Sequence, residues 1–271
     1  MYEPRTYWES LLRQRTGLSG VADPGHTDAA LRASYRVVHR NVRRLLRHHG
    51  LGSLTGKRVL DIGSGSGYWL TAWQQLGAGD ITAVELTDVA SDRLRDAFPT
   101  VTLVTGDVSE ESLEVEGTFD LISAMSVLLH IVDEDAFVRA LTRLGAWLSP
   151  TGVLLVADPI LTRRDSRHTA QVGDNSIART VGEWRIALDR AGLRLEEVRT
   201  STVLQGNPID VRGERAAHRL NQAWRRYAKV QASAPRFVAR AVIGAVEAAD
   251  VVLSRGHLLP ISAKLAVITK R

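Results

Sequence analysis

The sequence predicts an α/β fold: a parallel sheet with helices covering both faces. Three observations lead there. Short apolar runs alternate along the chain with stretches of helical length and period. Glycine, proline or a carboxylate bounds each run, as expected for buried strands. The first run also opens onto a turn, V-L-D-I-G-S-G-S-G over residues 59–67, with three glycines in five positions. Glycine costs conformational entropy, so such a density needs a structural or ligand-binding reason.

The elements follow in order. Residues 29–49 form a helix, with Leu31, Tyr35, Val38, Val42, Leu45 and Leu46 on one face. Arg32, Arg36, Arg40, Arg43 and Arg47 share the opposite face, and Gly50 with Gly52 ends the helix. K-R-V-L-D-I-G is the first strand and Y-W-L-T-A-W-Q-Q-L-G-A the helix after it. I-T-A-V-E-L is the second strand, residues 88–98 a helix, V-T-L-V-T-G-D the third strand and F-D-L-I-S-A-M-S-V the fourth. A helix over residues 134–148 comes next. Pro150 and Gly152 make a turn before the fifth strand, G-V-L-L-V-A-D-P. Residues 160–179 read as a long polar loop. Thr180 and Glu183 have the spacing of a capping box, opening a helix that ends near Gly192. L-R-L-E-E-V-R-T-S-T-V is the sixth strand. Residues 210–255 are helical with a break at Pro235, and Val238, Val242, Val246, Ala249 and Leu253 form an apolar stripe. I-S-A-K-L-A-V-I-T-K is the last strand.

Composition narrows the function classes. At 271 residues, 44% hydrophobic and 24% charged, the chain can bury one large core. It has no cysteine, which excludes disulfides, thiolate metal sites and thiolate nucleophiles. No metal site is expected. The first ten residues lack an apolar run, and no stretch reaches the ~18 uninterrupted apolar residues of a membrane span, so a cytoplasmic protein is expected. The net charge of +5 comes from an arginine-rich composition with no basic run interleaved with aromatics. That pattern points to solvated faces rather than nucleic acid, although an anionic acceptor would give the arginine ridge on residues 32–47 a sharper role.

The glycine turn discriminates between ligands. A dinucleotide loop, G-x-G-x-x-G, needs a small sixth residue, and Tyr68 stands there. The spacing is G-x-G-x-G, preceded by Asp61. A carboxylate beside the loop repels a pyrophosphate and suits an ammonium. S-adenosylmethionine offers an amino acid end, a ribose and no phosphate.

These residues resemble the class I (Rossmann-like) S-adenosylmethionine-dependent methyltransferases over residues 56–203 and the final strand. V-L-D-I-G-S-G-S-G is similar to that family's glycine motif. Glu85 stands where an acid takes the ribose hydroxyls, and Asp107 where an acid meets the adenine amino group, with Val108 beside it. F-D-L-I-S-A-M-S-V-L-L-H-I resembles the fourth strand and its substrate-facing loop. L-S-P-T-G-V-L-L-V-A-D-P resembles the L-x-P-G-G turn and fifth strand, with Thr151 in place of the first glycine. The resemblance implies a cofactor-binding set of Asp61, Gly63, Ser64, Gly65, Gly67, Glu85, Leu86, Asp107, Val108 and Met125, with S-adenosylhomocysteine as product. It implies a seven-stranded, mostly parallel, doubly wound sheet whose last strand is reversed. Around it stand an N-terminal helical lid (1–52), the core (53–205), a C-terminal helical insert or cap (206–257) and the final strand (258–271).

Methyl transfer from a sulfonium needs alignment and exclusion of water, and a base where the acceptor is a hydroxyl. His130 is the first candidate base; the alternative is a histidine that orders its loop through Asp133 or Asp135. His26 is the second. Tyr7, Trp8, Tyr35, Arg36, His168, Asn175 and Arg179 are candidates for the acceptor pocket, with helix packing as the competing role of the aromatics. The expected function is methylation of a small molecule, on oxygen first, with carbon or nitrogen open. An RNA methyltransferase or a cofactor-binding scaffold are the other readings. No N-P-P-Y or D-P-P-Y follows the fourth strand, which counts against nucleic acid. A monomer or homodimer is expected.

Overall fold

The computed structural model describes residues 3–20, 26–163, 175–255 and 261–271. His168 lies outside them. The apolar runs become β1 (Arg58–Ile62), β2 (Asp80–Glu85), β3 (Thr102–Thr105), β4 (Phe119–Met125), β5 (Leu148–Asp158), β6 (Leu193–Thr200) and β7 (Lys264–Lys270). They form one seven-stranded sheet in the order β3-β2-β1-β4-β5-β7-β6. The pairings from β3 across to β5 are parallel. β7 runs antiparallel to both β5 and β6. The expected reversed last strand is therefore present.

Eight α-helices are described: α1 (Pro4–Gln14), α2 (Asp28–His48), α3 (Tyr68–Gln75), α4 (Asp88–Ala97), α5 (Glu134–Trp147), α6 (Val181–Arg190), α7 (Glu214–Ser233) and α8 (Arg236–Leu253). Strand residues alternate between two cores because successive side chains point to opposite faces. Leu60, Ile122, Leu154 and Ile268 meet Phe137 and Leu141 of α5 and Trp184 and Leu188 of α6. Val59, Leu121, Leu155 and Val267 meet Val42 and Leu46 of α2 and Leu70 and Trp73 of α3. Each such side chain contributes roughly 1.5–3 kcal/mol on burial. Thr180 and Glu183 form the expected capping box at the start of α6.

β5 departs from the sequence expectation. Pro150 and Gly152 do not make a turn before it, because the strand already begins at Leu148. Phe119 pairs with Leu148 and Leu121 with Val153, so the intervening residues bulge out of the ladder. A Cβ on Gly152 would lie 2.7 Å from the Phe119 carbonyl oxygen, so this crossing requires glycine. Thr151, outside that contact, is exposed.

The helices beyond the sheet split into two groups. α1 packs against α4, and Arg93 of α4 donates to the Arg15 carbonyl (3.1 Å). α8 packs on α2 and on α7, with Ala30, Ala33 and Ile243 at the α2–α8 join. The stripe Val238, Val242, Val246, Ala249 and Leu253 flanks this contact half-buried, while Ala239, Ile243 and Asp250 sit at its centre. Asp250 is fully buried because its carboxylate accepts hydrogen bonds from the main-chain N–H groups of Val203, Leu204 and Gln205. The insert thereby fixes the loop after β6. Among the described residues no helix is long and apolar enough to cross a membrane.

The chain leaves β1 toward β2 and β3 on one side and returns to β4 and β5 on the other. The crevice at the carboxyl ends of β1 and β4 is the switch point where such sheets bind ligands.

Candidate active site

A cavity of about 620 Å³ opens at that switch point, within the usual size range of small-ligand pockets. Its floor is the turn between β1 and α3. Gly63, Gly65 and Gly67 all have left-handed φ, at 67°, 51° and 76°. A Cβ on Gly63 would stand 2.5 Å from the Val127 side chain, and one on Gly67 2.3 Å from the Phe98 ring. Glycine is thus required twice over, by conformation and by close approach. Gly63 and Gly65 line the cavity, whereas Gly67 is buried as the N-cap of α3.

Asp61 does not line the cavity. Its buried carboxylate accepts from Ser64 Oγ (2.7 Å), Trp73 Nε1 (3.1 Å) and Ser123 Oγ (2.5 Å). Burial pushes its pKa up, against the pull of those three bonds. The expected direct grip on an ammonium gives way, in this geometry, to an anchor that ties the turn to α3 and β4. Ser64 is the link that reaches the cavity wall.

Glu85, at the end of β2, does reach the cavity. Its Oε2 accepts from Gly65 N (2.8 Å) and its Oε1 from Leu86 N (3.0 Å). Burial raises its pKa, and these main-chain donors oppose the rise. Leu86, Asp107, Val108 and Met125 also line the cavity. Ser109 holds Asp107 Oδ1 through its N–H and hydroxyl, both at 2.7 Å.

His130 follows β4 and lines the same cavity. Its Nδ1 is 2.8 Å from the main-chain oxygen of Asn175. A carbonyl only accepts, so Nδ1 carries the proton and the neutral ring keeps its lone pair on Nε2. Burial lowers its pKa, and the Asn175 bond opposes that. Trp8 of α1 packs edge-on against the ring, with centroids 4.9 Å apart. The ordering partner is thus neither Asp133 nor Asp135. Asp133 instead caps α5 through the Ala136 N–H (2.7 Å).

The remaining candidates divide. Trp8 and Tyr35 line the cavity. Tyr7 packs on Trp8 (5.2 Å between centroids) but faces solvent. Asn175 acts through its main chain on His130. His26 is not in the cavity wall: it sits against Trp224, and Gln231 Nε2 donates to its Nδ1 (3.2 Å). Arg36 is likewise absent from the wall because Glu247 of α8 holds it at 2.8 and 2.5 Å. Arg179 is buried beneath the site, bonded to Glu134 Oε1 (3.1 Å) and the Ile131 carbonyl (2.7 Å), with its guanidinium 3.7 Å from the centre of the Phe137 ring.

Sequence reasoning missed several wall residues: Ser34, Tyr68, Trp69 and, from the loop after β6, Ser201, Thr202 and Gly206. Tyr68 carried a usable signal, since it directly follows the glycine turn. Ser126 carried none, yet it directly follows β4 in the left-handed region (φ 62°) and lines the cavity. A non-glycine residue held there is typical of functional sites.

The wall fits S-adenosylmethionine: a backbone cradle with no room for side chains, with two carboxylates, Glu85 and Asp107, along one side. Ubiquinone biosynthesis O-methyltransferase of Rhodopseudomonas palustris strain TIE-1 is 32% identical over 109 residues, 40% of this chain and 42% of the relative. The enzyme of the same name from Xanthomonas euvesicatoria is 32% identical over 163 residues, 54% and 66% of the two chains. The chain thus spans about two-fifths of the length of the first relatives it matches. The CcbJ methyltransferase of Streptomyces caelestis shares the fold over 99% of both chains, with a TM-score of 0.54 and 13% identity. Residues 31–204 match a family described as a methyltransferase domain. That match covers well over half of the sequence, and the chain accordingly belongs to this methyltransferase-domain family, with the class I fold.

Proposed function

We propose that the protein methylates a hydroxyl group of a small-molecule acceptor, with His130 as general base. The observation that carries this reading is the hydrogen bond from His130 Nδ1 to the Asn175 carbonyl. It holds the ring so that Nε2 is the basic nitrogen, in the wall of the cofactor cavity. A hydroxyl is a poor nucleophile until its proton is taken, and a neutral imidazole takes it near neutral pH. The relatives named as O-methyltransferases support oxygen as the acceptor atom.

When bound, S-adenosylmethionine supplies an electrophilic methyl on sulfur and a neutral leaving group, so no acid is required. In this reading Gly63, Gly65 and Leu86 present main chain to the cofactor, while Glu85 and Asp107 present carboxylates. Val108 and Met125 add apolar wall. Asp61 acts one step back, holding Ser64 and the turn in place. His130 Nε2 receives the acceptor proton. Trp8, lying against His130 from α1, keeps water from the reacting atoms, since dry walls favour a displacement that depends on alignment. The N-terminal segment serves as a lid through α1, and the 206–257 insert serves as a brace through α8 and Asp250.

The test is incubation with methyl-labelled S-adenosylmethionine and a pool of hydroxylated small molecules, read by mass spectrometry. Label on an oxygen, abolished by His130→Ala, is expected. Label on nitrogen or carbon, or unchanged turnover by His130→Ala, would contradict the reading.

A further inference from the structure

A second crevice, of about 200 Å³, opens between α2, β6 and the end of α8. Among the described residues it shares no lining residue with the methyl-transfer cavity. Asn41, in the crevice wall, joins the two. Its Nδ2 donates to the main-chain oxygen of Ser201 (2.9 Å), which lines the larger cavity, and to Ser254 Oγ (3.0 Å), which lines the crevice.

Three arginines line the crevice together with His48: Arg44 from α2, Arg199 from β6 and Arg255 just after α8. Glu197 is its one carboxylate among the described residues, and that carboxylate is already engaged. Its Oε1 accepts from Arg199, and its Oε2 accepts from His49 Nε2 (3.0 Å).

Arg44 and Arg255 are placed differently. Their side chains make no hydrogen bond or ion pair among the described residues. Burial lowers the Arg44 pKa, and the charges of Arg255, Arg40 and Arg47 lower it further. Two guanidinium groups thus share a crevice without a counter-charge, a repulsion that a bound anion would relieve. Beside them Ser254 Oγ is buried, accepts from Asn41, and has its own O–H proton uncommitted among the described residues.

Charge and size point to the class of anion. Two guanidinium charges match the roughly −1.5 to −2 of a phosphate monoester at pH 7 better than the single charge of a carboxylate. Guanidinium forks also present paired N–H donors to phosphate oxygens. The crevice has about a third of the volume of the methyl-transfer cavity, which suits one phosphate group on a small molecule. No aromatic side chain other than His48 lines it among the described residues, so it offers little for stacking the bases of a nucleic acid.

We propose that this crevice binds the phosphate group of a small molecule, held between Arg44 and Arg255 with the Ser254 hydroxyl as a further donor. The site is separate from the methyl-transfer cavity and stands independently of the function assigned there.

Urea denaturation of the full-length protein at pH 7.5 tests it, with chloride replaced at constant ionic strength by inorganic phosphate or by acetate. The wild-type midpoint should rise with phosphate along a saturable curve, as binding to the folded state requires. Acetate should bind at least about tenfold more weakly, carrying one charge where phosphate carries nearly two. Arg44→Gln and Arg255→Gln should both fold, since each ends a repulsion. Each should weaken phosphate at least about tenfold, leaving only the unsaturable rise of an excluded salt. Arg32→Gln, which removes an exposed arginine elsewhere on α2, should keep the wild-type curve. An unsaturable rise in the wild type, equal saturation in Arg44→Gln or Arg255→Gln, or acetate binding as tightly as phosphate would overturn the proposal. So would a single-stranded RNA that binds the wild type but not these variants while phosphate shows no saturable effect, since the crevice would then be a nucleic-acid contact.

Discussion

The Nδ1 of His130 lies 2.8 Å from the main-chain oxygen of Asn175, a residue 45 positions further along the chain. One hydrogen bond thus fixes a tautomer in a cavity wall and fastens Asn175 to the segment after β4. Ile177 N also donates to the Leu129 carbonyl (2.9 Å), so the two segments are joined twice.

This relationship sets a pH dependence. Burial depresses the His130 pKa below its ordinary value of about 6.5, and only the neutral ring can accept a proton. The rate should therefore fall as pH drops through an inflection below 6.5, with full activity above it. A kcat profile between pH 4.5 and 8 checks this. His130→Ala should lower kcat by roughly 10²–10⁴ with cofactor affinity retained.

Asp61→Ala would strip three donors of their shared acceptor, those of Ser64, Trp73 and Ser123. Stranded buried donors cost about 1–3 kcal/mol, so urea denaturation should show a loss of that size. Affinity for S-adenosylhomocysteine should fall with it, because Ser64 and the turn lose their anchor.

Gly63→Ala meets both a left-handed backbone and the Val127 side chain. A destabilisation of about 1–3 kcal/mol is expected. Adding Val127→Ala should recover part of it, since the collision goes and the backbone strain stays. Full recovery would mean that φ at Gly63 carries no cost.

Arg36→Ala removes an exposed pair with Glu247. Stability should change by less than about 1 kcal/mol, and the KM for the acceptor should not move. A large rise in KM would return Arg36 to the acceptor pocket.

Lys264 Nζ and Asp210 Oδ2 form a buried pair at 3.2 Å beside the end of β5. Lys264→Met removes one charged partner of the Asp210 carboxylate and should cost about 1–3 kcal/mol in chemical denaturation. Asp210 also accepts from the Thr162 N–H (2.9 Å), so replacing both partners by apolar residues should not restore full stability.

Much of the fold was legible because its signals are local. Buried strand segments such as Leu154–Ala157 are apolar on consecutive residues, and the glycine turn is dense in a residue that few other settings require. Glu85 was legible by its distance from that turn along one strand–helix–strand unit. What was not legible is decided by partners far away in sequence. Arg36 looks like a free cation until Glu247, 211 residues on, is seen to hold it. Asp61 looks like a ligand group until Trp73 and Ser123 close around it. Asp250 interrupts an apolar stripe in sequence, yet it is the most buried point of α8 because the loop after β6 supplies its donors. The bulge at Pro150–Gly152 resembles a turn because both use the same residues.

The most direct test is calorimetric titration of S-adenosylhomocysteine into the wild-type protein and into Glu85→Ala. Saturable one-site binding to the wild type is predicted, weakened by about 1–3 kcal/mol in the variant. No binding, or equal binding by both, would contradict the assignment of the glycine turn and Glu85 to the cofactor.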